Sequence, residues 1–263
     1  MDLGLKDQVA FVTAASRGLG FAVARALARE GCRIALCARG AEGVREAAGR
    51  LRAETGVEAF GASVDLSRDG AAEAFVQEAQ AALGPAQILV INTGYPRAVR
   101  FESTTTEDFD EAYRVLLRPA QALARACLPA MIAARYGRIL AITSIAIKAP
   151  LPSLVLSNAV RVGVAGLIKT LAREVGAHGV LCNTVCPGYH RTERLIGLAE
   201  VQARAERTDR EAVLERMAAQ VPLGRLGDPD EFGAVCAFLV SPRCTYVNGA
   251  VVPVDGGLYD GLF

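Results

Sequence analysis

Residues 9–20 read VAFVTAASRGLG, and this stretch decides the fold. Val9–Val12 is a short apolar run with the length and composition of a buried strand. It breaks at Thr13 into small residues and then meets Gly18 and Gly20. Phe21, Val23, Ala26 and Leu27 follow at helical spacing. Strand, glycine turn and amphipathic helix make the first half of a nucleotide-binding βαβ unit. The first N–H groups of a helix have no partner inside it, and its dipole favours negative charge there, so a phosphate can rest on this turn. Glycine permits the close approach because it has no Cβ. A glycine turn alone is also how any α/β protein passes from strand to helix, so the rest of the chain must arbitrate.

Outward from this unit, strands and helices alternate. Strands are predicted at 33–38, 57–64, 88–91, 138–142, 180–186 and 251–254, with helices at 41–55, 71–83 and 107–134 and within 152–174. Thr105 or Thr106 can cap the long helix, and Asp228-Pro229-Asp230-Glu231 opens another by capping box and first-turn proline. The pattern predicts an α/β fold: a single Rossmann-like, doubly wound domain over 1–263, with a seven-stranded parallel sheet flanked by helices. Residues 192–221 are charged and helical in pattern, which places a lid over about 189–225.

Composition narrows the function classes. A hydrophobic share of 52% suits strands buried on both faces. The net charge of +1 and the lack of a dense basic block give no reason to invoke nucleic acid. No apolar run is expected to approach the length of a membrane span, and the start MDLGLKDQ lacks signal-peptide regions, so no membrane partner is expected. The seven cysteines form no CxxC pair and mostly lie in apolar runs, which predicts core thiols, no metal, and a reducing cytoplasm.

The second strand ends in Ala38-Arg39, where dinucleotide folds often carry an acid that binds the ribose hydroxyls. Arg39, with Arg17 from the glycine turn, would instead suit the 2′-phosphate of NADP(H). The competing reading is two solvated surface arginines.

The glycine turn resembles the T-G-x-x-x-G-x-G fingerprint of the short-chain dehydrogenases/reductases, with Ala14 in place of the first glycine. Asn92-Thr93-Gly94 resembles that family's N-N-A-G segment, and residues 187–192, PGYHRT, resemble its P-G-x-x-x-T segment. PLGRLGDPDEF at 222–232 and VNGAVVPVDGG at 247–257 look like its closing segments. The chain looks most like divergent β-ketoacyl-reductase-like members. The resemblance implies NADP(H) contacts from Thr13, Ser16, Arg17, Gly18, Leu19, Gly20 and Arg39. It sets Asp65 and Leu66 beside the adenine, although Asp65 or Ser67 could equally cap the next helix. It also implies contacts from Asn92, Gly94 and Arg161, and from Pro187, Gly188 and Thr192 near the nicotinamide. Assembly as a homotetramer or homodimer is implied as well.

Catalysis is where the chain departs from its resemblance. Family members use a tyrosine to pass the proton, a lysine to favour its phenolate and a serine to hold the substrate oxygen. Ser144 keeps its place, but spacing from Ser144 and alignment on Gly166-Leu167 put Ser157 at the tyrosine position and Arg161 at the lysine position. A relay asparagine falls on Leu116. Serine is a poor acid, and arginine stays protonated. Tyr189, His190, Tyr95 and Lys148 are the candidate replacements, with packing or surface roles as the alternatives. A Ser144–Ser157 hydrolase pair lacks an activating histidine and carboxylate. The expectation is an atypical NADP(H)-dependent oxidoreductase acting on a small-molecule carbonyl or alcohol with a rebuilt proton relay. The alternatives are a cyclase, dehydratase or isomerase on the same scaffold, or a non-catalytic NADP(H)-binding protein.

Overall fold

The computed structural model describes residues 2–262. Seven parallel strands form one sheet in the order β3-β2-β1-β4-β5-β6-β7. They are β1 Val9–Val12, β2 Arg33–Ala38, β3 Ala59–Ser63, β4 Ile88–Ile91, β5 Gly137–Ile142, β6 Val180–Pro187 and β7 Val251–Val254. The chain winds outward from β1 to β3, then returns to the other side at β4. The switch point therefore lies between β1 and β4, and open α/β sheets bind ligands at the carboxyl ends of strands beside such a point.

Among the described residues there are eight α-helices: α1 Gly18–Arg29, α2 Ala41–Thr55, α3 Ala71–Leu83, α4 Thr106–Ala134, α5 Val155–Val175, α6 Glu193–Glu206, α7 Arg210–Ala219 and α8 Pro229–Val240. Alternate strand residues serve two cores. Ala10, Val12, Ile34, Leu36, Ile88, Val90, Leu140 and Ile142 pack under α1, α2 and α8. Val9, Phe11, Ala35, Cys37, Leu89, Ile91, Ile139 and Ala141 pack under α3, α4 and α5. Two-sided burial of this kind explains strands that are apolar at every position. α6 and α7 have a small core of their own around Leu195, Ala199 and Leu214.

Three expectations need correction. The third strand is shorter than 57–64, spanning Ala59–Ser63, because it is the sheet edge and pairs only with β2. Neither Asp65 nor Ser67 caps α3, which begins at Ala71 behind a left-handed Gly70; Asp65 instead accepts from Ser67 N at 3.1 Å and Ser67 Oγ at 2.7 Å, closing a local turn. The membrane-span statement also fails: α4 and α5 are long and apolar enough to cross a membrane by length and composition. Both instead bury one stripe on the sheet, including Leu116, Leu123 and Cys127 of α4 and Val164, Ile168 and Ala172 of α5.

All seven cysteines are buried free thiols. Burial pushes the thiols of Cys32, Cys37, Cys127 and Cys182 up to about 12, which keeps them protonated and unreactive.

Candidate active site

The glycine turn is held from β4. Thr13 Oγ1 donates to Asn92 O at 2.6 Å and accepts from Asn92 N at 3.0 Å. Asn92 Nδ2 donates to Ala14 O at 3.1 Å, tying the end of β4 to the turn after β1. Gly20 is dictated by this packing: a Cβ there would lie 2.6 Å from Ala14 O and 2.7 Å from Asn92 Nδ2. Ala14 keeps the left-handed conformation, φ 46°, that favours glycine.

Above Gly18, φ 60°, the space is open, since a Cβ there would meet only Thr192 Cγ2, at 4.0 Å. α1 starts from Arg17 without a capping side chain and without an acid in its first turn; α2, α3 and α5 also lack a side-chain cap, whereas α4, α6, α7 and α8 have one. The orphan N–H groups and positive dipole end of α1 thus face a gap suited to an anion, and the residues present fit a dinucleotide diphosphate. Ser16 and Leu19 are partly buried beside it, Ser16 against Gly43 and Leu19 against the core.

At the edge of this gap, Arg39 is exposed, and its carbonyl accepts from Ser63 Oγ at 3.0 Å. The Asp65 carboxyl is held below its usual range by the Ser67 hydroxyl, with Arg39 and Arg68 adding to the effect. Leu66 is half-buried against the core under α3 and α4. Arg17 does not hang free: its Nη1 pairs with Glu193 Oε2 at 2.8 Å, joining the turn to the start of α6. No local signal marks that pairing, because Glu193 lies 176 residues away.

β5 delivers Ser144, whose Oγ accepts from Ala146 N at 3.1 Å and turns the chain into a short 3-10 segment. α5 delivers Ser157 and Arg161, one turn apart. Arg161 is buried at 6% exposure; its Nε donates to Ser157 Oγ at 3.2 Å and its Nη2 to Gly94 O at 3.0 Å. Burial pushes the guanidinium down to about 10, so it remains a cation at neutral pH. Leu116 is fully buried in α4 and offers no polar atom. β6 ends in Pro187, and Gly188 N donates to Val254 O at 3.0 Å; a Cβ on Gly188 would strike Asp255. Thr192 caps α6, accepting from Leu195 N at 3.3 Å.

Two of the candidate proton carriers are packed. His190 is buried at 5% exposure, its ring set edge-on to Phe232 at 5.3 Å and pressed on Gly227. Desolvation holds its pKa below the usual imidazole value. Its ring packs between Gly227 and Phe232 of α8. Tyr189 packs into the α6–α7 core, and burial pushes its phenol up. Both line a cavity of about 140 Å³ whose other walls include Val221, Val254 and Asp255. Lys148 lies over the Tyr259 ring, 5.2 Å from its centroid. Tyr95 is 59% exposed, with the Arg194 guanidinium 4.5 Å from its ring centroid. Arg194, itself exposed, was not legible as a partner of Tyr95, since nothing in a charged helix marks which arginine meets the loop after β4. Among the described residues, no group of three or more metal-ligating side chains gathers.

A parallel sheet in this order, with a glycine turn at the switch point and Ser144 just beyond β5, defines a dinucleotide-type fold. The chain belongs to the short-chain dehydrogenase/reductase family, in its ketoreductase-like branch. A family profile described as enoyl-(acyl carrier protein) reductase matches residues 13–259. A 3-oxoacyl-[acyl-carrier-protein] reductase of Pseudomonas aeruginosa is 36% identical over 257 residues, covering 98% of this chain and 99% of that protein. The L-sorbose reductase of Gluconobacter frateurii, solved with NADPH and L-sorbose, is 31% identical and superposes with a TM-score of 0.95 over 100% of both chains. An actinorhodin polyketide ketoreductase solved with NADPH is 32% identical, with a TM-score of 0.89 over 96% of this chain and 97% of that one.

Proposed function

We propose that this protein is an NADP(H)-dependent oxidoreductase that reduces a small-molecule carbonyl, or oxidises the corresponding alcohol, with a proton relay rebuilt around α5. The observation that carries the reading is the combination on one sheet edge of an open, uncapped α1 turn with the hydrogen-bonded Ser157–Arg161 pair of α5. The first feature retains a seat for the nucleotide. The second stands where relatives keep tyrosine and lysine.

When bound, the nicotinamide supplies or takes the hydride. The remaining roles fall to side chains of this chain. The first-turn N–H groups of α1 hold the diphosphate, with Thr13, Ser16, Gly18, Leu19 and Gly20 shaping the cradle. Arg17 and Arg39 pair with the 2′-phosphate, and arginine suits phosphate through its planar fork of donors. Asp65 and Leu66 border the adenine; Asn92, Gly94, Pro187, Gly188 and Thr192 line the nicotinamide half. Ser144 hydrogen-bonds the substrate oxygen. Arg161 binds ribose hydroxyls and stabilises negative charge on that oxygen, which a buried cation does more strongly than an exposed one. Residues 189–225 close over the substrate as a lid. The protein assembles as a homotetramer or homodimer.

The test is loss of nicotinamide absorbance with a panel of ketones, sugars and ketoacyl thioesters. Steady NADPH oxidation with at least one carbonyl is expected. Product formation from a carbonyl compound after all nucleotide has been stripped would instead establish a cyclase, dehydratase or isomerase.

A further inference from the structure

The chain enters the lid at 187–191 and leaves it at 226–228. Between these crossings α6 and α7 pack chiefly on each other, around Leu195, Ala199, Val213 and Leu214, so they hold together as one body. Two of their ties to the rest of the chain are exposed side-chain contacts: the Arg17–Glu193 pair at 2.8 Å and Arg194 against the Tyr95 ring. Exposed ion pairs hold weakly. The firmer attachment is where the two crossings meet. Gly227 N donates to Tyr189 O, and Arg191 N donates to Gly227 O, each at 2.9 Å. These bonds flank His190, which is paired with Gly227 in an isolated parallel bridge. The clasp is anchored on both sides, by Gly188 N to Val254 O and by Asp228 as the cap of α8.

The His190 ring closes the clasp. Gly227 makes room for it, since a Cβ there would lie 2.7 Å from ring Cδ2. Nδ1 lies 3.4 Å from Gly188 O, and Nε2 has no hydrogen bond among the described residues. A neutral imidazole has one N–H to place, whereas an imidazolium has two. The charged groups facing the ring are already engaged. From α8 and the turn before it, Glu231 is held by Arg225 at 2.7 and 2.8 Å, and Asp228 accepts from Asp230 N at 2.8 Å. Beyond β7, Asp255 accepts from Gly257 N at 3.0 Å and Tyr259 N at 2.9 Å. From the lid entry, Tyr189 packs into the α6–α7 core. Burial outweighs the pull of the three carboxylates and favours the neutral ring.

We propose that α6 and α7 swing as one body about the clasp of residues 189–191 on Gly227, and that protonation of His190 releases it. This rests on the lid of the reading above and does not need its redox assignment. A charged ring in the closed clasp has a buried charge and an N–H against Gly227 without an acceptor. Water meets both needs once the ring leaves with the lid entry. The open form therefore takes the proton first. Opening grows as pH falls below about 6.5, the ordinary imidazole value that a solvated ring regains. At pH 5.5 the gain is at most about tenfold, the factor set by one pH unit below that value.

The test is hydrogen exchange of the full, nucleotide-free chain, followed by mass spectrometry at pH 7.5 and 5.5 and corrected for the pH dependence of intrinsic exchange. Protection of peptides from 189–227 should fall by about three- to tenfold at the lower pH, while peptides from β4 and β5 keep theirs. His190→Gln, uncharged at both pH values, should remove the difference. Gly227→Ala, which sets a Cβ against the ring, should loosen the lid already at pH 7.5. Equal lid protection of the parent at both pH values, the full difference retained in His190→Gln, or an unchanged lid in Gly227→Ala would overturn the proposal. So would a loss shared equally by β4 and β5, which would mark global unfolding. A pH-dependent lid on a protein that reduces no carbonyl would leave the clasp standing and remove the oxidoreductase reading.

Discussion

Arg161 Nε donates to Ser157 Oγ at 3.2 Å, one helical turn back along α5. The same guanidinium reaches Gly94 O at 3.0 Å, so it ties α5 to the end of β4 across the candidate site. A buried cation with these neutral partners costs desolvation energy that a purely structural residue would avoid. Arg161→Met keeps the length and removes the charge. Its melting temperature should stay within about 4 °C of the parent, equivalent to about 1 kcal/mol in a chain of this size. Turnover should fall on the order of 10²-fold, as when one donor to a developing oxyanion is removed. Unchanged turnover in a folded variant would reduce Arg161 to a packing residue.

The Arg17–Glu193 pair at 2.8 Å is highly exposed on both sides and contributes little to stability. It does compete for the guanidinium that the 2′-phosphate would use. Glu193→Gln should therefore tighten NADPH binding by a few-fold, leave NADH binding alone, and leave the denaturation midpoint where it was. Weaker NADPH binding in this variant would mean that the lid contact helps to seat the cofactor.

Ala14 sits at φ 46° with a Cβ that glycine would not carry. A left-handed alanine costs about 1 kcal/mol relative to glycine. Ala14→Gly should raise the melting temperature by about 2–4 °C and leave the hydrogen bond from Asn92 to residue 14 intact. Thermal unfolding of the two proteins checks this; a lower melting temperature would show that the strain is absent.

His190 links stability to pH. Burial depresses its pKa in the folded state, so the unfolded chain takes up a proton first as the medium is acidified. The stabilisation is complete above the unfolded value of about 6.5 and is lost as pH falls from there through the folded value. His190→Gln should start less stable, because the ring fills the space against Phe232 and Gly227. Its urea midpoint should also fall less steeply between about pH 7.5 and 5.5. Equal slopes in the two proteins would remove His190 as the source.

The fold was largely legible because its signals are local. Apolar runs of four to six residues such as ILVI at Ile88–Ile91, and caps such as Thr105 and Asp228, state their structure within a few positions. The edge strand Ala59–Ser63 was drawn too long because pairing, which ends it, is not a local property. The membrane criterion misread α4 and α5 because apolar length does not reveal which stripe a helix buries. Ser144 was placed by the family resemblance, and Ser157 and Arg161 by their spacing from it; the structure brings Ser157 and Arg161 into contact. The packing of His190 was not legible, because imidazole chemistry near a glycine turn is visible in sequence, whereas a ring set against α8 is not. Arg194 and Glu193 were missed for the complementary reason: their partners, Tyr95 and Arg17, come from elements far away in sequence.

The proposed activity depends first on the nucleotide seat at the start of α1. Calorimetric titration of the protein with NADPH and then NADH measures that seat most directly. Saturable NADPH binding, with NADH weaker by about tenfold or more, equivalent to about 1.4 kcal/mol, is the predicted result. No heat of binding with either nucleotide would contradict it.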